Sequence, residues 1–168
     1  MSAHTVEDVN RMRLTHGALP GEPIPYRLRS GEGMSFETAG QLWTVIARSS
    51  DTGGGFDAAY ITGRRGSESP FHALPGAHRT FTVMSGQAQV WLGDESRLLG
   101  RGDTVTVPEN VLFGYRMLSE LTRMMMFSAP GGALDALLAS ARGTDRHIYS
   151  PRAGSDELIL PEEATRLA

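Results

Sequence analysis

The sequence predicts an all-β sandwich or barrel. Three observations carry this. Short apolar runs recur at regular spacing between residues 31 and 130, Gly and Asp cut them, and several alternate apolar with polar. Residues 1–30 are read as an extended arm. "TVEDVNRM" has Thr5 as a helix cap and Asp8 three residues on, an imperfect capping box for one short helix. The prolines of "ALPGEPIPYRL" then force extended chain. The strand candidates are "LWTVIAR", "FDAAYITG", "RTFTVMSG", "QAQVWLG", "SRLLGRGD", "TVTVP", "FGYRML" and "LTRMMMFS". Residues 131–168 change character. "GALDALLASARG" sets Leu134, Leu137, Leu138 and Ala141 on one helical face and stops at Gly143. "PEEATRLA" opens with Pro and acids, a good helix start. These segments give an arm at 1–30, a barrel at 31–130 and C-terminal helices with a tail at 131–168, packed on the barrel.

Composition narrows the function. A chain of 168 residues, 40% hydrophobic, is one domain with a sizeable core. The formal net charge of -3 offers no basic field for nucleic acid or an anionic membrane. All 16 basic residues are arginine, so Schiff-base chemistry and a lysine base are excluded. Cysteine is absent, which excludes disulfides, thiolate nucleophiles and cysteine-ligated zinc. The opening "MSAHTVEDVNRMRLTHG" lacks the apolar stretch of a secretory signal, and no run approaches the ~20 residues of a membrane helix. A cytoplasmic protein is expected.

The motif that draws attention is "GSESPFHALPGAHRTFTVMSG" at 66–86. Gly66 lies six before His72, Gly86 lies fourteen after it, and Gly102 lies six before Pro108. This spacing resembles the cupin superfamily's two motifs, G-x5-H-x-H-x3,4-E-x6-G and G-x5-P-x-G-x2-H-x3-N. "PYRLRSGEGMSFETAGQLWTV", "VPENVLFGYRM" and "FSAPGG" are similar to quercetinase-like cupins, so the likeness covers about residues 25–140. It implies a double-stranded β-helix, the cupin jelly roll, closed by a C-terminal helical extension. It also implies where metal ligands would fall. The first histidine is His72, but the second falls on Leu74, the glutamate on Arg79 and the last histidine on Phe113. The second motif's glycine is Asn110 and its asparagine is Met117. Three of the four ligand positions therefore have no donor suited to a metal, and a guanidinium opposes a dication directly. His78 is one residue from the glutamate position, and a one-residue slip turns a strand side chain to the other face. No metal and no cofactor are expected.

Alternation in that register turns His72, Leu74, Arg79, Phe81, Val83, Phe113, Tyr115 and Met117 inward. The expected site is an apolar, aromatic pocket with His72, Arg79 and Tyr115 as catalytic groups. Leu74, Phe81, Val83, Phe113, Met117 and Met126 line it against substrate. Arg79 pairs an oxyanion, histidine exchanges protons near neutrality, and Tyr115 donates or relays one. The plain alternatives are a filled core, with Arg79 paired to Glu68, Asp57 or Glu109 as structure. Two functions follow: metal-independent isomerisation, cyclisation, dehydration or decarboxylation of a small aromatic or polyketide-like substrate, as in natural-product metabolism, or a quercetinase-like dioxygenation. A third is small-molecule binding without catalysis. A two-fold homodimer is expected through sheet edges or the flanking arm.

Overall fold

The structure is a computed structural model, and it describes residues 15–140 and 142–143. The helices expected at 5–12 and 161–168, and Ala141, lie outside the described residues. Two short strands, β1 (Thr15–His16) and β2 (Tyr26–Arg27), pair in parallel. They are followed by β3 (Met34–Thr38), β4 (Gln41–Ala47), a four-residue helix α1 (Ser49–Thr52) and β5 (Asp57–Arg64). Then come β6 (His78–Ser85), β7 (Ala88–Leu92), β8 (Glu95–Leu99), β9 (Thr104–Val107), β10 (Phe113–Met117) and β11 (Leu121–Ala129). The helix α2 (Ala133–Ser140) and the strand β12 (Arg142–Gly143) close the described chain. The eight expected strands are all present. β1, β2, β3, β12 and α1 are additions, since β1, β2 and β12 have two residues each, "MSFET" has no long apolar run and α1 is a single turn.

Seven strands form one sheet in the order β12-β3-β4-β5-β11-β6-β9, and β10-β7-β8 form a second. Both are antiparallel throughout, as a double-stranded β-helix requires. The two sheets meet in a single core. Phe36, Val45, Ile61, Phe81, Val83, Met124 and Met126 come from the larger sheet, and Val90, Phe113, Tyr115 and Met117 from the smaller. α2 adds Leu134, fully buried, with Leu137 and Leu138 packed beside it. The arm is tied to this same barrel: Gly21 N–H donates to Asp51 Oδ1 at 2.7 Å and Tyr26 Oη to the Ile46 carbonyl at 2.5 Å. No described helix is long and apolar enough to cross a membrane.

The turn framework explains why the register survives the altered motifs. Gly86 has φ 77°, and a Cβ there would stand 2.8 Å from the Leu121 carbonyl oxygen. Asn110, where the motif has glycine, has φ 62°, and asparagine is among the few residues that tolerate that region. Its N–H donates to the Leu74 carbonyl at 3.0 Å, so the turn keeps its shape without the glycine.

Candidate functional site

Alternation along β6 decides which side chains reach the barrel interior. Arg79, Phe81 and Val83 are buried, while His78 is exposed. His78 thus faces away from the interior, and its Nδ1 accepts the Glu109 N–H at 3.2 Å. His72 lies before β6, yet it is held firmly. Its N–H donates to the Phe113 carbonyl at 3.0 Å, and Phe113 N–H returns a bond to the His72 carbonyl at 2.9 Å. This bridge on the free edge of β10 brings His72 beside Arg79.

The imidazole has two partners. Nδ1 stands 2.8 Å from the Pro70 carbonyl oxygen, and Nε2 stands 3.2 Å from Arg79 Nη1. A carbonyl oxygen only accepts and a guanidinium only donates. Nδ1 therefore carries the proton, and Nε2 presents its lone pair to Arg79. That tautomer follows from the hydrogen-bond network.

Arg79 is 9% exposed. Among the described residues no carboxylate lies within ion-pair distance of it. The three expected acids are engaged elsewhere. Glu68 pairs Arg116 at 3.5 Å, Asp57 Oδ2 accepts the N–H groups of Gly132 and Leu134, and Glu109 Oε2 accepts that of Gly76. Burial pushes the guanidinium below its ordinary value, and Tyr115 and Asp57 push back. Arginine stays cationic even so, because its ordinary value is far above any working pH.

Tyr115 is buried, and its hydroxyl donates to Gln41 Oε1 at 2.6 Å. Burial pushes the phenol above its ordinary value, against the opposing Gln41 bond and Arg79 charge. The hydroxyl is therefore a neutral donor committed to a core partner, and it does not line the cleft at His72. Gln41 was not singled out in the sequence. A polar residue opening the apolar run "LWTVIA" is the signal that could have found it.

The expected substrate pocket is corrected by packing. Phe81 stacks on Phe113 with centroids 4.8 Å apart and leans on Tyr115 at 5.7 Å. Phe81, Val83, Phe113, Met117 and Met126 are all 2% exposed or less. Side chains fill the volume that alternation alone left open. Among the described residues a cleft of about 10 Å³ opens at the mouth, lined by His72, Arg79, Leu74, Val107, Val111 and Phe113 among others. It holds about one water-sized group. Of the expected lining, only Leu74 and Phe113 touch it. A wider groove of about 290 Å³ runs past His16, Arg27 and Arg29, but all three are exposed and solvated.

A cupin domain family model matches residues 61–129, the span holding both sheets' site strands. The barrel has the cupin fold. Over 142 residues the cupin is 31% identical to quercetin 2,3-dioxygenase of Bacillus subtilis, covering 84% of this chain and 42% of that protein. The chain thus spans less than half the length of that relative. Among solved structures, KdgF from a Halomonas species superposes with a TM-score of 0.54 at 19% identity, over 60% of this chain and 89% of that one. An RmlC-like cupin from Shewanella frigidimarina gives 0.54 at 18% identity, over 61% and 86%. These two likenesses show the cupin fold.

The donor set of this cupin does not fit a divalent metal. His72 supplies one nitrogen, and that nitrogen faces a guanidinium. Leu74 and Phe113 supply none. Among the described residues no group of three or more His, Cys, Asp or Glu gathers to hold an ion.

Proposed function

We propose that the mouth of this cupin binds the oxyanion of a small organic molecule and acts on it by metal-independent acid–base chemistry. Arg79 holds the oxyanion, and His72 Nε2 is the proton-transfer atom. One observation carries the reading: a guanidinium 9% exposed, with no carboxylate within ion-pair distance among the described residues, whose bond goes to a histidine lone pair. A buried cation with no anion in contact is costly, and a bound oxyanion offsets that cost.

The geometry sets an order of events. Arg79 Nη1 occupies Nε2 in the resting site. An oxyanion drawing that N–H to itself frees the Nε2 lone pair, beside the molecule that has just arrived. Nε2 then takes a proton from an acidic carbon next to the carbonyl or carboxylate, and the charge that develops on oxygen rests against Arg79. Pro70 holds Nδ1–H throughout and stabilises the imidazolium that forms. The cleft of about 10 Å³ takes one oxygen of the charged head. An aromatic or polyketide-like body lies over the half-buried rim at Leu74 and Val111.

The test uses benzoate as a binding probe and phenylpyruvate as an enolisable acid in heavy water. Saturable benzoate binding that Arg79→Leu removes, with exchange of the benzylic protons that His72→Ala lowers, supports the reading. Neither binding nor exchange above buffer overturns it.

A second reading is favoured by the likeness to quercetin 2,3-dioxygenase, which is 31% identical. Here Nε2 deprotonates a flavonol hydroxyl and the resulting anion meets dioxygen. Oxygen uptake with quercetin, sensitive to His72→Ala, separates this reading from the first.

A further inference from the structure

The interior behind Arg79 holds a polar row that the site as described does not use. On β11, Ser128 is the direct partner of Arg79 on β6 and of Asp57 on β5. Three neighbouring strands thus set Arg79, Ser128 and Asp57 side by side. All three are buried, at 9%, 0% and 0% exposed. Each presents one buried atom with no hydrogen-bond partner: Arg79 Nε, Ser128 Oγ and Asp57 Oδ1. These atoms are not bonded to one another, but their order runs from donor to acceptor. Nε–H only donates, the hydroxyl accepts and donates, and the carboxylate oxygen only accepts. The other carboxylate oxygen, Oδ2, is already fixed by the N–H groups of Gly132 at 2.8 Å and Leu134 at 3.1 Å. The carboxylate is therefore anchored at the start of α2, with its other oxygen unbonded.

We infer that Asp57 is the counter-charge of Arg79, coupled to it by charge across the strand that carries Ser128, and that it sets the affinity of the mouth for an oxyanion. The affinity part rests on the proposed function; the coupling does not. Asp57 is a positioning residue in this scheme. It restrains the guanidinium from behind while His72 meets it from the front. Two strand spacings put the charges about 10 Å apart. At an effective dielectric of about 20, removing the carboxylate changes anion affinity at Arg79 by about tenfold. The change is toward tighter binding, because a negative charge that opposes the incoming anion is gone.

The coupling is tested first, without any ligand, by urea unfolding of Asp57→Asn, Arg79→Met and the double variant. Asparagine keeps an oxygen for Gly132 and Leu134, so the helix start retains its acceptor. The expected result is non-additivity. Asp57→Asn lowers the folding constant by about tenfold more in the parent than in the Arg79→Met background. Additive effects overturn the coupling. Should Asp57→Asn fail to fold, Asp57→Ser, which also keeps an oxygen for Gly132 and Leu134, takes its place in the same cycle. The second measurement is benzoate titration. Asp57→Asn binding benzoate about tenfold more tightly than the parent supports the assignment. Unchanged or weaker binding overturns the affinity role. If the parent binds no benzoate, the proposed function is what fails, and the unfolding cycle still decides the row.

Discussion

Arg79 donates to Nε2 of His72 across 3.2 Å, so the buried cation and the imidazole share one hydrogen bond. Neither group is fully available while the other holds it. An anion that engages Arg79 changes both at once, and this link shapes the predictions.

Arg79→Leu and His72→Ala should have separate signatures. Arg79→Leu removes the cation and should weaken benzoate binding by at least about tenfold. His72→Ala leaves the cation in place and frees its N–H, so benzoate binding should change little. Exchange of the benzylic protons of phenylpyruvate should fall about 10²–10⁴-fold in His72→Ala, the usual contribution of a positioned acid–base group. Calorimetric titration and proton NMR check the two effects. Equal losses of binding in both variants would contradict the assignment of roles.

Phe113 separates a packed core from a substrate pocket. It is 2% exposed and stacked on Phe81 at 4.8 Å. Phe113→Ala should therefore cost about 3–5 kcal/mol of folding stability, as a core aromatic does. A residue that merely lined an open pocket would cost far less. Urea unfolding reads the difference.

Alkaline stability should depend on Tyr115. Burial raises its phenol above the ordinary 10.0, so the unfolded chain releases that proton first. The sign follows: the contribution is complete below about pH 10 and is lost as the pH climbs toward the raised folded value. Tyr26 is shifted the same way, by burial and then by Asp51. Unfolding midpoints measured from about pH 9 to about pH 11 should fall less steeply in Tyr115→Phe than in the parent. An identical slope would place the hydroxyl in contact with solvent.

Metal should be irrelevant to the parent and recoverable by design. A chelator should leave the melting temperature unchanged, because no ion bound to the folded state is being withdrawn. Leu74→His, Arg79→Glu and Phe113→His together return the missing donors. Phe113 is already bridged to His72, with ring centroids 6.4 Å apart, so a histidine there faces the existing one. Elemental analysis of the triple variant should show bound divalent metal. Stoichiometric metal on the parent through His72 would contradict the donor argument.

Much of the barrel was legible because its turns are chemically constrained. Gly66, Gly86 and Gly102 all have positive φ, and Asn110 keeps that conformation in place of a glycine. Alternation placed Arg79, Phe81 and Val83 on the inner face of β6 correctly. Direction did not reveal how the volumes add up. Only packing shows that Phe81, Phe113 and Met117 close the space between the sheets. Register was equally hidden. Tyr115 meets Gln41 across 74 residues of sequence, and the row joining Arg79, Ser128 and Asp57 exists because β11 lies between β5 and β6. No local pattern in a chain encodes such a neighbourhood.

The central claim is that an oxyanion on Arg79 releases His72 Nε2. The most direct measurement is the nitrogen-15 signal of the His72 ring during a benzoate titration, in the parent and in Arg79→Leu. In the parent, Nε2 should shift saturably as its Arg79 partner is withdrawn, while Nδ1, bound to Pro70, shifts little; in Arg79→Leu neither should follow benzoate. A His72 ring that ignores benzoate in the parent, or responds equally without Arg79, would contradict the claim.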